Sequence, residues 1–279
     1  QATTGIQSLK HTIQKLRERK KEQKKFSVVA AYDATFTETL NQAGIEAILV
    51  GDSLGMVVQG QNSTVPVTME HMIYHTEAVV RSNLCCDEQA VIIADMPFMT
   101  FDSVENTLQN AARLMRAGAN MVKLEGGDWL AESVAKLAER GIPVCAHIGL
   151  TPQSVNKLGG YKVQGRTENQ RQQLLDDATA LDQAGADFLV LECIPTPLAK
   201  EITQATEFST VGIGAGNGTD AQVLVCYDML GLSNSPAKFV KNFLAESGGA
   251  HTPSILNAFA AYKQAVESGQ YPAAEHEYS

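Results

Sequence analysis

The chain repeats one local pattern along most of its length: a helical stretch, a tight turn containing glycine, and a short apolar run. The turns QAGIE (42–46), RAGAN (116–120) and QAGAD (183–187) each place a glycine before a new apolar run. Runs this short and this apolar are typical of parallel strands buried on both faces. Eight strands are predicted, at 26–33, 46–52, 90–95, 120–125, 143–149, 187–192, 210–216 and 222–228.

About eight helix–turn–strand units indicate an α/β fold, a (β/α)8 TIM barrel. An open doubly wound sheet has the same local pattern, but eight strands with acidic residues in both halves of the chain favour closure. With 279 residues, 44% of them hydrophobic, the chain can bury the core of one large domain. We therefore predict a single barrel domain over 1–279, with an N-terminal helix at about 5–24 and extra C-terminal helices at about 235–268. The extra helices would cap a barrel end or pack on a neighbouring subunit.

Local signals also predict where two helices begin. Asp102 and Glu105 have the spacing of a capping box, and Gly118 stands where that helix would end. After the sixth strand, Thr196 is the predicted N-cap of the next helix.

Charge and cysteine usage limit the possible partners and compartment. The formal net charge of -9 argues against nucleic acid and anionic membranes, because both are bound through basic patches. The one basic cluster, at 15–25, is interleaved with glutamate and is predicted to be the solvated face of a helix. Five cysteines without CxxC spacing, and no signal-like apolar N-terminus, predict reduced thiols in the cytoplasm. The expected ligands are small molecules.

Carboxylates close several of the apolar runs. Asp52 and Asp95 end two neighbouring runs of the predicted barrel, and the C-terminal ends of barrel strands form the rim that carries chemistry. Carboxylates that converge there would repel one another unless a cation lay among them. An isolated Asp-Ser pair such as Asp52 and Ser53 more often caps a turn, but the second carboxylate favours a hard divalent cation with oxygen ligands, with Mg²⁺ as the first candidate.

Lys123 and Glu125 lie two residues apart in one predicted strand, so their side chains point to the same face, into the barrel mouth. A structural ion pair is the alternative interpretation. Beside a metal ion, Lys123 would hold a substrate carboxylate and Glu125 would add to the coordination sphere.

Glu192 ends the sixth run and is followed by apolar residues, which would raise its pKa towards that of a general base. His147 near the end of the fifth run could act as an acid, a base or a hydrogen-bond donor to substrate, or serve structure alone. The glycines of 212–218 do not fit the GxGxxG pattern; they predict either close approach of the backbone to substrate or tight packing within the barrel. The stretch 158–165, with two adjacent glycines, is predicted to be a mobile lid.

Long ordered motifs carry a resemblance to a known family. They are VGDSLGMVVQG (50–60), TVPVTMEHMIYHTEAV (64–79), AGANMVKLEGG (117–127), HIGLTPQSVNKLGGYKVQGR (147–166) and LVLECIP (189–195). The chain closely resembles the ketopantoate hydroxymethyltransferases over nearly its whole length. The resemblance implies a barrel of the phosphoenolpyruvate/pyruvate type, a metal ion (Mg²⁺, with Mn²⁺ or Co²⁺ as alternatives), and large homo-oligomers, typically decamers.

The implied reaction is transfer of a hydroxymethyl group from 5,10-methylenetetrahydrofolate to 3-methyl-2-oxobutanoate through a metal-stabilised enolate. Its product is 2-dehydropantoate, and the reaction is the first step of pantothenate biosynthesis, which leads towards coenzyme A. By resemblance Glu192 is the catalytic base, and the metal residues are Asp52, Asp95 and Glu125. The candidate substrate-binding residues are Asp52, Ser53, Asp95 and Lys123, with His147 as a further candidate.

Two alternatives stay open at this point. A metal-dependent lyase or mutase of the isocitrate lyase type would share the barrel and the oxo acid, although its usual KKCGH-like loop is absent from this sequence. A non-catalytic barrel that only binds an oxo acid is the second alternative. The sequence also departs from the family at Tyr227, where histidine is common, which puts any role of that position in doubt.

Overall fold

Eight parallel strands close into a barrel in the computed structural model, which describes residues 9–247 and 254–279. Consecutive strands are neighbours, and the eighth pairs with the first. The strands are β1 (Phe26–Ala30), β2 (Ala47–Val50), β3 (Val91–Asp95), β4 (Met121–Glu125), β5 (Val144–Gly149), β6 (Phe188–Glu192), β7 (Ser209–Ile213) and β8 (Ala221–Val225). The predicted closed barrel is confirmed, and the open doubly wound sheet is wrong.

Helices surround the barrel, and none within the described residues is long and apolar enough to cross a bilayer. They are α1 (Ile13–Lys21), α2 (Ala34–Gln42), α3 (Leu54–Val57), α4 (Met69–Leu84), α5 (Val104–Arg116), α6 (Ala131–Glu139), α7 (Val155–Leu158), α8 (Glu168–Gln183), α9 (Thr196–Ala205), α10 (Cys226–Met229), α11 (Phe243–Glu246) and α12 (Ile255–Glu267). Three short 3₁₀ turns span Asp128–Leu130, Pro152–Ser154 and Ala274–His276. A two-residue strand, Leu9–Lys10, pairs with Glu88–Gln89 outside the barrel.

Four strands end earlier than the apolar runs predict, and the second of the eight stops at Val50, two residues before its predicted end. The first run was expected to reach residue 33, but Asp33 is the N-cap of α2 and its side chain accepts from the Phe36 N–H. The seventh strand stops before Gly214, whose φ of 61° turns the chain away from the sheet. The eighth gives way to α10 at Cys226, so Tyr227 is helical and not in a strand.

Both predicted helix starts are displaced by one residue. Helix α5 has Ser103 as its N-cap, with the Ser103 hydroxyl accepting from the Asn106 N–H, while Asp102 accepts from the Asn106 side chain. Thr196 is the first residue of α9, which follows Pro195 at the N-cap position. Where two residues that can cap stand side by side, the sequence does not decide which one takes the extended backbone that a cap requires.

The N-terminal helix α1 occupies only 13–21 of the predicted 5–24, and residues 5–8 lie outside the described part of the chain. It covers the N-terminal end of the barrel, where Leu16 is fully buried. The Lys20 ammonium donates to the carbonyl oxygens of Thr203 and Phe208, each at 2.8 Å. The prediction that this basic cluster is the solvated face of a helix therefore holds only in part, because Lys21 and Lys24 are exposed whereas Lys20 binds the barrel.

Only part of the predicted C-terminal helical region, 235–268, is helical. Residues 235–242 form no helix, and 248–253 lie outside the described residues. Helix α12 packs on the barrel itself: the Tyr262 hydroxyl lies 3.0 Å from the Val28 carbonyl oxygen of β1 and 2.9 Å from that of Gln222 in β8. This helix thus covers the seam between the first and last strands, as an outer helix of the barrel.

Candidate active site

A cavity of about 110 Å³ opens at the C-terminal end of the barrel. One wall is polar and carries all of the predicted site residues, namely Asp52, Ser53, Asp95, Lys123, Glu125, His147 and Glu192. The other wall is apolar and consists of Ala30, Leu49, Val190, Ile213, Val223 and Val225. Four carboxylates and one lysine give the polar wall an excess of negative charge, which suits a divalent cation.

Asp52 and Asp95 are joined through the backbone. The Asp52 N–H donates to Oδ2 of Asp95 at 2.9 Å. Gly51 makes this approach possible, since a Cβ atom there would lie 2.9 Å from Ser53 Oγ and 3.4 Å from Asp95 Oδ2. Ser53 occupies the N-cap position of α3 but makes no side-chain cap; its hydroxyl instead lies 2.7 Å from the Tyr32 hydroxyl. The local capping alternative for this Ser53 side chain is therefore wrong.

Lys123 lies at the centre of the polar wall and is 4% exposed. Its Nζ is 3.1 Å from Asp95 Oδ1, 3.5 Å from Glu125 Oε1 and 3.1 Å from His147 Nδ1. Burial alone would lower the pKa of Lys123, but the carboxylates of Asp95, Glu125 and Asp52 outweigh burial and raise it. The lysine therefore stays charged. Lys123 forms the ion pair with Glu125 and also lines the cavity, while its role in holding a substrate carboxylate stays a prediction.

The neighbouring carboxylates differ in how they are compensated. Burial, followed by repulsion from Asp95 and Glu125, raises the pKa of Asp52 well above its usual range. For Glu125, burial also acts upwards, but Lys123 and His147 overcome it and lower the pKa to about 2. Protein groups therefore compensate the charge of Glu125 more fully than that of Asp52, where Lys123 and the Gln153 amide do not overcome burial and repulsion.

His147 connects Glu125 to the predicted base. Its Nε2 lies 3.1 Å from Glu192 Oε2 and 3.0 Å from the Leu150 carbonyl oxygen. Burial and Lys123 act to lower the pKa of His147, but Glu125, which lies 3.4 Å from Nδ1, and Glu192 outweigh them and raise it. The ring therefore lies between the two glutamates, an arrangement that the sequence did not predict.

Glu192 ends β6 with a side chain that is 15% exposed, at the mouth of the cavity. Gly149 at the end of β5 allows close contact there, since a Cβ atom would lie 2.3 Å from the Glu192 carbonyl oxygen. The next residue, Cys193, has a φ of 47°, which is costly for a residue other than glycine. This backbone turn directs the chain away from the rim directly after the carboxylate.

Two residues that sequence reasoning missed also belong to the site. Gln153, in the 3₁₀ turn after β5, donates from Nε2 to Asp52 Oδ2 at 2.8 Å and to the Met96 carbonyl oxygen at 3.0 Å. Its backbone N–H donates to Glu125 Oε2 at 3.0 Å. Tyr32, which holds the Ser53 hydroxyl, is 1% exposed and follows β1. The available signal was their position just beyond predicted apolar runs or within them, in the stretches AYD (31–33) and HIGLTPQS (147–154).

One direct observation supports the fit of these residues to a divalent cation. Asp95 Oδ1 is buried without a hydrogen-bond partner, because Lys123 approaches it within 3.1 Å but without hydrogen-bond geometry. Such an orphan oxygen requires an explanation, and a hard cation supplies one. Among the described residues no three His, Cys, Asp or Glu side chains form a complete metal-binding group. A cation here would need substrate and water oxygens as well, as Mg²⁺ commonly does.

The two remaining predicted segments lie around the mouth. Of the glycines in 212–218, Gly216 packs so closely that a Cβ atom would meet Thr196 Oγ1 at 2.4 Å, as the packing interpretation expects. In the segment 158–165, Tyr161 is half exposed and its hydroxyl donates to Met56 Sδ at 3.3 Å across the mouth. The mobility of this segment stays a prediction.

Comparison with known proteins gives a consistent result. A family model described as ketopantoate hydroxymethyltransferase matches residues 10–274. The 3-methyl-2-oxobutanoate hydroxymethyltransferase of Marinobacter nauticus is 55% identical over 95% of this chain and 97% of its own. That of Pectobacterium atrosepticum is 54% identical over 96% of this chain and 98% of its own.

Among solved structures, 2,3-dimethylmalate lyase, a member of the PEP mutase/isocitrate lyase superfamily, superposes with a TM-score of 0.54 at 17% identity, covering 76% of this chain and 80% of its own. At that identity the likeness shows the fold alone, a TIM barrel. The barrel, the residues of its polar wall and the match over nearly the whole sequence lead to one conclusion: the chain belongs to the ketopantoate hydroxymethyltransferase family.

Proposed function

We propose that this chain transfers a hydroxymethyl group from 5,10-methylenetetrahydrofolate to 3-methyl-2-oxobutanoate, with a divalent cation in the barrel mouth. Its family makes it a hydroxymethyltransferase of pantothenate biosynthesis. The observation that carries the detailed proposal is the convergence, on one cavity, of Asp52, Asp95, Lys123 and Glu192. The folate, the metal and the individual roles below belong to the proposal.

The two walls of the cavity match the two ends of the oxo acid. Lys123 would pair with the substrate carboxylate, and the Ser53 hydroxyl, held by Tyr32, would add a hydrogen bond. The apolar wall, including Val190 and Val223, would receive the branched alkyl group. This arrangement would orient carbon C3 of the substrate towards Glu192.

Proton removal from C3 is assigned to Glu192. His147 would fix the orientation of this carboxylate through its Nε2–H, which lies 3.1 Å from Glu192 Oε2. A divalent cation held by Asp52 and Asp95, with Glu125 close to it, would supply the positive charge that makes the adjacent enolate accessible. A new C–C bond then forms between C3 and the methylene carbon, both C–N bonds that join this carbon to folate break, and water supplies the hydroxyl oxygen. The proton removed from C3 and one proton from water are taken up by the two folate nitrogens.

The remaining parts of the proposal concern cofactor, assembly and compartment. Mg²⁺ is the proposed metal, with Mn²⁺ and Co²⁺ as alternatives, because the available side chains offer hard oxygen ligands. We propose a homo-oligomer, with a decamer implied by the family resemblance, and small molecules as ligands. A cytoplasmic location is supported by five free cysteines in the described residues.

The proposal is tested by NMR exchange of the C3 proton of 3-methyl-2-oxobutanoate in deuterated water, with Mg²⁺ present and then chelated. Exchange that depends on Mg²⁺ and, after addition of methylenetetrahydrofolate, formation of 2-dehydropantoate are the expected results. Exchange without product would retain the enolate chemistry and reject the folate as donor. Neither exchange nor product would reject the reaction and favour an oxo-acid-binding or lyase function.

A further inference from the structure

Gln153 contacts the ends of three barrel strands from one position. Its side-chain amide uses both of its N–H groups, one on Asp52 Oδ2 and one on the Met96 carbonyl oxygen, while its backbone N–H binds Glu125 Oε2. The residue is 6% exposed, within the 3₁₀ turn Pro152–Ser154. A neutral amide carries no charge to offset the surrounding carboxylates, so its contribution is geometric.

These hydrogen bonds complete a pattern that covers all three predicted metal carboxylates. Asp52 has Oδ2 held by the Gln153 amide, Glu125 has Oε2 held by the Gln153 backbone, and Asp95 has Oδ2 held by the Asp52 N–H. In each carboxylate one oxygen is committed to an N–H donor. For Asp52 this leaves Oδ1 as the oxygen that is not engaged by Gln153, whereas Oε1 of Glu125 already faces Lys123 and His147.

We infer that Gln153 is a positioning residue that restricts Asp52 to one-oxygen coordination and thereby selects Mg²⁺ over Ca²⁺, an inference that rests on the proposed metal site. Mg²⁺ requires near-ideal octahedral geometry and keeps several waters, so single carboxylate oxygens suit it. Ca²⁺ takes six to eight oxygens and often binds both oxygens of one carboxylate. An oxygen that accepts the amide hydrogen bond has one lone pair occupied and its orientation fixed, so it is a poorer second contact for the larger ion than a free oxygen.

The test is calorimetric titration of the metal-free full-length protein with Mg²⁺ and with Ca²⁺, in the presence of 3-methyl-2-oxobutanoate. The variant is Gln153→Met, which keeps the length of the side chain and removes both donors. Loss of a group that orients a metal ligand typically costs about 10–100-fold in metal affinity. For Gln153→Met we expect a loss of roughly this size for Mg²⁺, a smaller loss for Ca²⁺, and hence a narrowed Mg²⁺/Ca²⁺ ratio.

Gln222 provides a matched control. It is 2% exposed, and its amide also donates twice, to the Gly216 carbonyl oxygen and to Thr219 Oγ1, but it lies near the N-terminal end of β8. Gln222→Met should lose comparable stability and keep the wild-type metal ratio. Gln153→Asn, whose amide is one methylene short of Asp52, should reproduce the selectivity change if Gln153→Met fails to fold.

The outcomes separate this inference from the proposed function. If the wild-type protein binds neither ion, the metal site itself is wrong. If it binds Mg²⁺ and the folded Gln153 variants keep the wild-type Mg²⁺/Ca²⁺ ratio, or lose both ions equally, the selectivity role is wrong and the metal site stands. A ratio that narrows in the Gln153 variants but not in Gln222→Met supports the inference.

Discussion

Strand β2 has a buried carboxylate beyond each of its ends, and the two are compensated in opposite ways. At the N-terminal end, Glu46 is fully buried with four partners: Arg19 at 2.8 Å and Lys263 at 3.0 Å on Oε1, and the N–H and hydroxyl of Ser27 on Oε2. At the C-terminal end, Asp52 has the neutral amide of Gln153 as its side-chain donor and two further carboxylates nearby.

The protonation of the two groups follows this difference. Burial acts upwards on the pKa of Glu46, but Lys263, Ser27 and Arg19 lower it overall. For Asp52, burial and like charge act together and raise the pKa. A complete set of partners favours the charged form of Glu46 at the N-terminal end of the barrel, whereas at the rim burial and neighbouring carboxylates disfavour the charged form of Asp52.

The largest effect is expected from Glu192→Gln, which alters the rim without adding or removing volume. Proton exchange at C3 should fall by about 10²–10⁴-fold, the usual contribution of a general base. Binding of Mg²⁺ and of the oxo acid should remain, because neither is assigned to this side chain. NMR exchange and calorimetry provide the two measurements, with the exposed Glu132 changed to Gln as the control. Normal turnover in Glu192→Gln would contradict the assigned base.

At the opposite end, Glu46→Gln should reduce stability and leave the rim unaffected. It leaves Arg19 and Lys263 without their shared carboxylate, and we expect a loss of about 2–4 kcal/mol, reduced from that of a fully buried pair because both cations are partly exposed. The folded-state pKa of Glu46 is lowered from 4.5, so its stabilising contribution is present above that pH and is lost as pH falls through the folded-state value.

Urea unfolding of wild type and Glu46→Gln at a series of pH values measures this difference. The gap between the two proteins should be greatest near neutral pH and should close in acid. A gap that is constant with pH, or a changed affinity for Mg²⁺, would mean that the two ends of the barrel are not independent.

Asp52→Asn should change the free energy of unfolding of the metal-free protein in the opposite direction to Glu46→Gln. Since the folded-state pKa of Asp52 is raised above 3.8, its favourable contribution is fully present below that pH and is lost as pH rises through the folded-state value. The variant should therefore be more stable than wild type by about 1 kcal/mol at neutral pH, a gain typical of relieved strain at functional sites. Thermal unfolding in chelator measures this gain.

The same variant should lose affinity for Mg²⁺, which calorimetry tests directly. If Asp52→Asn is less stable than wild type in chelator, as Glu46→Gln is expected to be, the two carboxylates beyond the ends of β2 do not differ in their effect on stability. If it is stabilised but binds Mg²⁺ normally, the contrast holds and Asp52 is not a metal ligand.

The smallest effect is expected from Tyr32→Phe, which removes the hydroxyl 2.7 Å from Ser53 Oγ. One hydrogen bond is typically worth about 0.5–1.5 kcal/mol, so KM for the oxo acid should rise by roughly 2–10-fold with kcat nearly unchanged. Tyr227→Phe, at the ring that stacks on Tyr32, is the matched control. A fall in kcat without a change in KM would place Tyr32 in the chemical step instead.

The fold was predictable because its strands are short and apolar and are separated by turns that contain glycine. These features depend on residues that are close together in the sequence, so the sequence shows them directly. The ends of the strands were harder to predict. The run at 222–228 is continuously apolar from Val223 to Tyr227, yet α10 begins at Cys226. Side-chain hydrophobicity alone does not distinguish a buried strand from a buried helical turn. The N-cap of α5 was missed by one residue for a similar reason, since Asp102 and Ser103 can both cap.

The acidic and basic residues of the candidate site were predictable because burying a charged side chain at the end of a strand costs free energy. Such residues are therefore rare in apolar runs and stand out in the sequence. Gln153 and Tyr32 were not, because neither residue type is unusual in a loop. Their roles arise from contacts made across the barrel, 101 residues apart in the case of Gln153 and Asp52. His147 was noticed, but its partners on both ring nitrogens depend on the register of β4, β5 and β6.

The position of α12 has a consequence for synthesis on the ribosome. This helix covers the junction of β1 and β8, and Tyr262 reaches the carbonyl oxygens of both strands. Strand β1 is translated early, whereas β8, with which it pairs, and α12, which packs over both, are among the last segments translated. Until then the nascent chain presents open sheet edges, so a chain truncated before Ile255 should leave the barrel unsealed and prone to aggregation.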